Sequence, residues 1–567
     1  MAKKIYLGTS DFAEIIQQDG LLADKSLFIK EIIDSSDKVM LFTRPRRWGK
    51  TLNQSMLQVF LSLDVNNMKT SGLFDNLAIA RISDGQYIKQ HQGKYPVIFI
   101  SFKDIKEKTF VATQEKFTIL IQQLFMEHSY LMRSKILESY DKKIIDDYLT
   151  GKCSQSAIEV SLQRLSQYLK KHHGQKVYIL IDEYDTPLNE AYLKGYINEL
   201  TELMRNLFSS ALKDNQNLQK GIMTGILRIS KDSMLSGLNN LKVYTILDKK
   251  YSEYFGFTDD ELDLLFKEQC LERNEEDVKQ WYNGYNFGGR TIYNPWSILN
   301  CLSEEGVFGA YWVSTGSTTM IEMVLDNFQE KVADRIVSLM EGQEILEPID
   351  KHVAFDVMLN DESTLWGLLL FSGHLTASVT SFNSENGFYN CDLRIPNKEL
   401  MIIFNRHYNK WFKSQLGDNY APFLKSLITG DVAIFSEYLN QYLLETMSSR
   451  DIGKTPENFY HGLVVGLIAS LRDNYVIKSN HESGTGFYDV LIMPLESAKS
   501  GLGLILEFKV AKDTDDLDNL AKIALAQINS KHYDTELKTY PHINKILKLG
   551  LAFNKKSVKV IPSNYGP

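Results

Sequence analysis

One segment near the N-terminus constrains the fold of this chain more than any other. Val39 to Thr43 reads VMLFT, the loop RPRRWG follows, and apolar residues then recur at helical spacing from Leu52 to Leu61. A short, continuous apolar run is typical of a strand buried on both faces, as in parallel sheets covered by helices. The segment therefore predicts a buried strand, a tight loop and an amphipathic helix in succession.

Further apolar runs repeat this alternation of strand and helix. The strand candidates PVIFISF, VYILIDEYD and GIMTGI begin at Pro96, Val177 and Gly221. Apolar residues recur at helical spacing in three other stretches, 113–125, 154–170 and 197–212. Strands that alternate with helices predict an α/β domain built on a parallel sheet.

The loop after the first strand has the residues of a phosphate-binding loop. Backbone N–H groups and the positive end of a helix dipole converge where such a loop meets a helix N-terminus, and this arrangement binds phosphate. Gly49, Lys50 and Thr51 occupy that place. In a Walker A motif the lysine reaches the β and γ phosphates and the threonine holds Mg²⁺, so we expect ATP and Mg²⁺ here. The motif is degenerate, because Arg44 stands where its first glycine is usual.

An acidic pair further along supplies the partner that such a loop requires. Asp182 and Glu183 follow four apolar residues at the end of a predicted strand. We expect Asp182 to meet Mg²⁺ through water or Thr51, and Glu183 to polarise the attacking water. An ordinary exposed turn is the alternative for two acids after a strand. The two motifs together favour nucleotide binding and hydrolysis.

Several segments resemble the bacterial predicted AAA-ATPase (AAA-ATPase-like) family in their amino-acid sequence. The resemblance covers about residues 5–300 and rests on TSDFAEIIQQDGLLADKSLFIKEI, LFTRPRRWGKTLNQSML, LIDEYDTPL, TGILRISKDSMLSGLNNL, EYFGFTDDEL and WYNGYNFGG. In that family the loop carries arginine at the first-glycine position, so Arg44 is a family trait. The resemblance also implies a γ-phosphate sensor at the strand that ends at Thr224, with Arg228 just beyond. It includes Asp24 and Lys25, for which we have no account beyond loop structure.

Two further arginines lie inside the loop. By the same resemblance, Arg46 and Arg47 are candidates for added phosphate contacts, or for contacts to a second copy of the chain in a homo-oligomer. Surface charge without a ligand is the alternative for both.

A carboxylate pair and a lysine mark the C-terminal region. Asp489 heads an apolar strand after the glycines of a predicted hairpin, and Glu507 and Lys509 close the next strand. Residues i and i+2 of a strand share a face, so Glu507 and Lys509 point the same way. Two converging carboxylates bind a hard divalent ion such as Mg²⁺ or Mn²⁺, and a nearby ammonium assists a water molecule. This set predicts metal-assisted phosphodiester hydrolysis, with a surface group of ion pairs as the alternative.

The order of these elements resembles the PD-(D/E)xK nuclease superfamily. The resemblance covers about residues 455–555, where HESGTGFYDVLIMP, ILEFKVAK and ALAQINSKHY are similar in wording. It implies that Asp489, Glu507 and Lys509 form the catalytic set.

The same resemblance implies three supporting residues in this region. Glu482 is an additional acid, and Gln527 and Tyr533 contact substrate or order the site. Phe487 departs from the pattern, because a basic residue usually precedes the Tyr-Asp pair, and this puts an expected phosphate contact in doubt.

Other residues near this site have two interpretations. His461 on the first helix of the region is a metal ligand or, more often for such a residue, a satisfied core histidine. Glu457, one turn earlier, is an acid of the site or a solvated charge at a helix N-terminus. Residues 535–567 hold six lysines and one acid, Glu536, which indicates a local basic surface for nucleic acid or a solvated sheet edge.

Length and composition set the organisation. At roughly 100–200 residues per domain, 567 residues predict several domains. We expect a P-loop domain at 1–250, a helical lid or connector at 251–450 and a nuclease-like domain at 451–567. In the connector, the segments 261–268, 296–302, 320–340 and 399–416 are expected to be mostly helical. Charged residues are 24% of the chain, which is ordinary for globular proteins, and the net charge of −8 requires any nucleic acid to meet a local basic surface.

The expected fold class is α/β multidomain: a P-loop NTPase parallel sheet, a helical middle, and a PD-(D/E)xK nuclease-like α/β domain. The four cysteines lack C-x-x-C spacing, which predicts reduced, buried thiols rather than a zinc site or disulfides. The polar N-terminus and the lack of a membrane-length apolar run predict a soluble, cytoplasmic protein.

These observations lead to one functional hypothesis and two alternatives. The hypothesis is an ATP-binding and ATP-hydrolysing protein whose nucleotide state controls a metal-dependent nuclease acting on DNA or RNA. The first alternative is an ATP-dependent switch or scaffold in which the C-terminal fold is a catalytically silent binding module. The second is a DNA-binding protein without chemistry, which the P-loop disfavours.

Overall fold

The computed structural model describes most of the chain. It covers residues 2–563 apart from 63, 66–67, 229–234, 236–237, 313–331, 333–334, 337, 341, 352–361, 407–418, 447–455, 469, 472–473, 484–485, 497, 499–500 and 513–514. The chain divides into two compact units. The first is Met1–Leu325 with Leu346–Leu400, and the second is Asp326–Ile345 with Met401–Pro567.

A parallel sheet forms the centre of the first unit. Its strands are β1 (Val39–Thr43), β4 (Val97–Ser101), β5 (Val177–Asp182), β6 (Leu218–Gly225) and β7 (Leu241–Tyr244), and a short hairpin of β2 (Asp64–Val65) and β3 (Met68–Lys69) lies outside it. The order in the sheet is β4-β5-β6-β1-β7, and every neighbouring pair is parallel. All five carboxyl ends therefore lie at one edge. This confirms the expected P-loop NTPase sheet, and adds β7, which has only one buried residue and gave no clear apolar run.

Helices cover this sheet and match the predicted periodicities closely. The stretch predicted at 197–212 is helical over those residues. The one predicted at 113–125 is helical over 110–127, and the one predicted at 154–170 is helical over 155–173. The α-helices that precede β6 in the chain are α1 (Phe12–Gln17), α2 (Leu27–Asp34), α3 (Lys50–Leu61), α4 (Gln86–His91), α5 (Phe110–Glu127), α6 (Ser139–Leu149), α7 (Gln155–His173), α8 (Thr186–Lys194) and α9 (Ile197–Leu212).

Asp24 and Lys25 tie the N-terminal segment to the rest of the first unit. The Asp24 carboxylate accepts hydrogen bonds from the backbone N–H groups of Ser26 and Ala78, at 2.9 and 2.6 Å. The Lys25 ammonium, largely buried, lies 2.6 Å from the Glu261 carboxylate and donates to a backbone carbonyl as well. Burial lowers the pKa of Lys25, and the Glu261 charge opposes that shift. Asp24 and Lys25 therefore have a structural role, since they hold the N-terminal segment against the rest of the first unit.

The middle of the chain contains strands as well as the expected helices. Its helices are α10 (Asp259–Glu268), α11 (Glu275–Tyr282), α12 (Pro295–Ser303) and α13 (Glu362–Phe371). Its strands are β8 (Tyr285–Phe287), β9 (Arg290–Ile292), β10 (Ile345–Ile349), β11 (Thr376–Phe382) and β12 (Tyr389–Arg394), which form an antiparallel hairpin and a three-stranded sheet. Short strands of mixed polarity carry little periodic signal, so this region looked mostly helical in the sequence.

Two predicted helical segments of the middle are only partly described. Most of 320–340 lies outside the described residues. Of 399–416, residues 399–406 are helical and the remainder lies outside.

The second unit contains a mixed sheet with one crossover helix. Its elements are α14 (Tyr420–Thr429), α15 (Val432–Thr446), α16 (Pro456–Ile468), β13 (Tyr475–Ser483), β14 (Gly486–Pro494), β15 (Leu502–Val510), α17 (Leu517–Ser530), β16 (Lys545–Asn554) and β17 (Ser557–Pro562). The sheet order follows the chain, β13 to β17, and only β15 and β16 pair in parallel. A parallel pair needs a crossover, which α17 provides. This confirms the expected nuclease-like α/β fold.

The cysteines are free, as expected, but not all of them are buried. Cys301 and Cys391 are buried, Cys153 is half-buried and Cys270 is exposed. Within the described residues, no helix is long and apolar enough to cross a bilayer.

Candidate nucleotide and metal sites

Gly49 and Lys50 form the junction between the loop and α3. Gly49 has a φ of 77°, a left-handed conformation that glycine adopts without strain, and α3 begins at the next residue. The buried Lys50 ammonium donates to the backbone carbonyls of Arg44 and Pro45, at 3.0 and 2.6 Å. Burial lowers the pKa of Lys50, while the charges of the nearby carboxylates raise it. The lysine therefore lies against its own loop, where a phosphate would meet both the ammonium and the helix N-terminus.

Asp182 is the centre of a hydrogen-bond cluster at the carboxyl edge of the sheet. Its Oδ2 accepts from the Thr51 hydroxyl at 2.8 Å and from Ser101 Oγ at 3.5 Å, and its Oδ1 accepts from the Thr224 hydroxyl at 2.5 Å. Asp182 is fully buried, and burial raises its pKa although the two threonine hydroxyls lower it. The structure thus brings together Thr51, Asp182 and Thr224, three of the positions singled out in the sequence.

The residues that follow Asp182 form a strained turn. Glu183 has a φ of 51°, rare for a non-glycine residue, and its Oε2 accepts from the Thr186 hydroxyl at 3.1 Å. Strain of this kind concentrates at functional sites. Glu183 is half-buried, which is compatible with contact to water.

Asp185 is a site residue that the sequence analysis missed. Its buried carboxylate accepts the backbone N–H groups of Ile226 and Leu227, at 2.8 and 3.0 Å, which fastens the turn after Glu183 to the end of β6. Burial raises the pKa of Asp185, and these two hydrogen bonds oppose the shift. A Cβ at Gly225 would lie 2.6 Å from the Tyr184 ring, so only glycine fits there. The available signal was the second acid in DEYD.

Arg44, at the first-glycine position, lies beneath the loop. It is fully buried, and its guanidinium donates to the carbonyls of Thr43 and Tyr244 at 2.8 and 3.0 Å and to that of Tyr251 at 3.4 Å. Its Cζ is 4.9 Å from the centre of the Phe255 ring. Burial lowers the pKa of Arg44 to about 9. The side chain supports the loop from the protein interior.

The other candidate arginines occupy different surroundings. Arg47 is exposed, and its guanidinium stacks on the Trp296 ring, 3.6 Å from the centroid. Arg46 is half-buried, and its carbonyl accepts the Trp312 indole N–H at 3.2 Å. Arg228 lies three residues beyond β6, half-buried, and burial lowers its pKa.

In the second unit, β14, β15 and α17 bring the predicted nuclease residues together. The Asp489 carboxylate accepts the Phe508 backbone N–H at 2.5 Å, which holds it beside β15. The Lys509 ammonium lies 3.3 Å from Glu507 Oε1, as expected for residues on one face. The Gln527 amide donates to the same Oε1 and to the Tyr533 hydroxyl, the latter at 3.3 Å.

Glu507 has the electrostatic features of a cation ligand. The residue is 2% exposed, and burial together with the Asp489 charge raises its pKa to about 7, against the opposing charge of Lys509. Among the described residues, no group donates a hydrogen bond to its buried Oε2. A buried carboxylate oxygen without a hydrogen-bond partner destabilises the folded state, and coordination to a divalent cation would remove this penalty. The residues therefore fit the ion that the sequence predicts.

The donor set of this site is small. In the part of the chain that is described, no three His, Cys, Asp or Glu side chains converge as metal ligands. Asp489 and Glu507 would leave the remaining positions to water and phosphate, as is usual for Mg²⁺.

The remaining predicted residues have separate outcomes. Glu482 pairs with Phe487 in the β13–β14 register and Glu457 lies on α16, but both side chains lie outside the described residues. The His461 ring nitrogen Nε2 lies 3.0 Å from the Asp489 carbonyl oxygen, a contact that favours a supporting role over metal ligation.

Acidic residues neutralise part of the expected C-terminal basic surface. Lys538 and Lys548 pair with Asp534, at 2.8 and 3.0 Å, and Lys559 pairs with Asp518 at 2.9 Å. At least three of the six lysines are thus paired with acids within the unit, which weakens the argument for a nucleic-acid surface there.

Comparison with known proteins confirms both resemblances. Residues 6–235 match the model of the predicted AAA-ATPase (AAA-ATPase-like) family, and residues 455–562 match that of the PD-(D/E)XK nuclease superfamily. An uncharacterized protein from the vnfD 5′ region of Azotobacter chroococcum mcd 1 is 25% identical over an alignment of 587 positions. The alignment covers 99% of this chain and 98% of that protein. The solved Walker-type ATPase PABY2304 of Pyrococcus abyssi is 14% identical, with a TM-score of 0.33, over 68% of this chain and 97% of that one.

Proposed function

Since this chain carries an AAA-ATPase-like domain at residues 6–235 and a PD-(D/E)XK nuclease superfamily domain at 455–562, we propose that it hydrolyses ATP and cleaves DNA with a divalent cation. Under this proposal the nucleotide state of the first domain controls cleavage by the second. RNA is the competing substrate, and the cleavage assay decides between the two.

The hydrogen bond between Thr51 and Asp182 carries the ATPase half of the proposal. The two residues are 131 positions apart, and their contact brings the loop threonine to an acid at the end of β5, which is separated from β1 by β6 in the sheet. In this proposal both hold Mg²⁺, Lys50 binds the β and γ phosphates, and Glu183 orients the attacking water. The Thr186 hydroxyl supports this role, because it holds the Glu183 carboxylate.

Lys50→Ala tests the ATPase half. ATP affinity measured by calorimetry should fall by two orders of magnitude or more, on the order of 3 kcal/mol, because the main phosphate charge partner is lost. Lys220→Ala is the matched control, since Lys220 also donates to two backbone carbonyls, those of Ser35 and Asp37, at the opposite end of the sheet. Wild-type ATP affinity in Lys50→Ala would contradict the assignment.

The Oε2 of Glu507, for which the described part of the chain offers no hydrogen-bond donor, carries the nuclease half of the proposal. Asp489 and Glu507 hold the cation, and Lys509, on the same face, assists the attacking water or the phosphate. Gln527 fixes the Glu507 carboxylate, and Tyr533 in turn fixes the Gln527 amide. A cation bound there would supply charge stabilisation and an activated nucleophile.

Metal titration beside a plasmid-nicking assay tests the nuclease half. Asp489→Ala and Glu507→Ala should each lose cleavage and Mn²⁺ affinity together. Asp534→Ala, which removes another largely buried acid of the same unit, is the control and should retain both. If wild-type protein binds ATP but nicks neither DNA nor RNA with Mg²⁺ or Mn²⁺, the switch or scaffold function replaces the nuclease. Equal cleavage with ATP, with ADP and without nucleotide would refute the control of cleavage by ATP.

A further inference from the structure

A buried carboxyl group outside both sites connects to the phosphate loop. Glu399 is 1% exposed and belongs to the first unit. Its Oε2 accepts the Ser297 hydroxyl at 2.7 Å, and its Oε1 accepts the Trp312 backbone N–H at 2.6 Å. Burying an acid disfavours folding unless its oxygens are hydrogen-bonded, so these donors hold Glu399 in one place, and it holds them in turn.

Each of the two donors lies beside an aromatic contact to the phosphate loop. Trp296 precedes Ser297 on α12, and the Arg47 guanidinium stacks on its ring at 3.6 Å. Trp312 uses its backbone N–H for Glu399 and its indole N–H for the Arg46 carbonyl, at 3.2 Å. One carboxyl group therefore holds Trp312 directly and, through Ser297, the helix that carries Trp296.

The same part of the unit contacts the loop on both sides of these arginines. The buried Trp48 ring packs edge-on against Tyr285, with 4.8 Å between centroids. A Cβ at Gly373 would lie 2.8 Å from the Pro45 side chain, so the Gly373 backbone lies close against the Pro45 ring. The Pro45 carbonyl is also the 2.6 Å acceptor of the Lys50 ammonium. The position of this loop segment therefore sets the position of Lys50.

We propose that Glu399 is a positioning residue for the phosphate loop. By anchoring Trp312 and the helix that carries Trp296, it holds residues 45–48 in the conformation in which Lys50 and the loop amides receive phosphate. Glu399 touches no phosphate in this account, and acts through the two tryptophans. The inference rests on the proposed ATP site, so its test includes one measurement that needs no nucleotide.

Hydrogen exchange of the nucleotide-free protein is that measurement. Glu399→Ala should raise the exchange rate of amides in residues 44–51 several-fold, because the anchor of Trp312 is lost. Glu399→Gln should restore slow exchange, since its amide oxygen accepts from Trp312 and its NH₂ group donates to Ser297. Asn215→Ala, which removes a buried side chain with three hydrogen bonds at the opposite end of the sheet, should leave exchange at residues 44–51 unchanged.

If Glu399→Ala fails to fold, Trp312→Phe tests the hydrogen bond between the Trp312 indole and the Arg46 carbonyl of the loop. It keeps the ring and removes only the indole N–H, and the same rise in exchange is expected. Unchanged exchange at residues 44–51 in the folded variants would overturn the proposal.

ATP titration tests the consequence for binding. Glu399→Ala should weaken ATP affinity about tenfold, the effect of one or two lost hydrogen bonds, with Glu399→Gln close to wild type. Because Glu399 acts through Trp312, the double variant with Trp312→Phe should bind ATP no more weakly than Glu399→Ala alone. Additive losses would overturn the connection through Trp312. A wild-type protein that binds no ATP would refute the proposed ATPase, while hydrogen exchange still decides the role of Glu399.

Discussion

Glu399 should make the stability of the first unit fall as pH rises through the weakly acidic range. Burial raises the pKa of Glu399 from its ordinary 4.5 to about 7, against hydrogen bonds from Trp312 and Ser297 that favour the ionised form. Between these two values the folded unit keeps a proton that the unfolded chain has lost. The folded state then binds more protons, so the free energy of unfolding decreases with increasing pH.

The size of the effect follows from the shift in pKa. One unit corresponds to about 1.4 kcal/mol, so the free energy of unfolding falls by about 3 kcal/mol between pH 4.5 and 7 on account of Glu399. Glu399→Gln removes this titration but keeps the hydrogen-bonding shape. The variant should therefore gain about 3 kcal/mol relative to wild type over that interval. Below pH 4.5 Glu399 is protonated in the folded and in the unfolded state, so the difference in free energy of unfolding between the variant and wild type becomes constant.

Urea unfolding followed by tryptophan fluorescence measures this difference. Five of the six tryptophans lie in the first unit: Trp48, Trp281, Trp296, Trp312 and Trp366. The contributions of other titrating groups to the free energy of unfolding cancel in this difference, because the two proteins differ at one residue. Among the described residues, three tyrosines interact electrostatically with Glu399, and burial raises their pKa values further above the pH range of the experiment: Tyr282, Tyr285 and Tyr311. A difference that stays flat from pH 4.5 to 8, or one of opposite sign, would refute a buried, proton-retaining Glu399.

Three further substitutions test other residues. Glu183→Gln should keep ATP binding and stop hydrolysis, because the amide keeps the shape and loses the base; normal phosphate release would show that another group orients the water. Lys509→Ala should lose cleavage with Mn²⁺ affinity largely kept, whereas Asp489→Ala loses both, because an ammonium is not a ligand; equal metal loss in the two variants would contradict this division. Arg44→Lys should lower the free energy of unfolding by about 2–4 kcal/mol, since lysine cannot make the forked contacts to several carbonyls; an unchanged urea midpoint would argue against a supporting role.

Local patterns in the sequence determined the elements that carry both sites. The run VMLFT, the loop and the helical spacing after it identified β1 and α3, and the spacing over 197–212 identified α9 at its bounds. The E-x-K triplet placed Glu507 and Lys509 on one face, because the strand period of two is a local property. Residue types with a strict chemical role, such as lysine and threonine at a helix N-terminus, were equally evident.

Tertiary structure decided everything that depends on which distant residues meet. The sequence could not show that Arg44 points into the interior, that Asp185 holds the end of β6, or that Lys548 pairs with an acid. Nor did it single out Glu399, whose partners lie 102 and 87 positions earlier in the chain. Hydrogen bonding and burial at these residues arise only when the chain closes on itself, and no local period records that closure. The raised pKa values of Glu399 and Glu507 have the same origin, because desolvation is a property of the packed unit and not of the residue.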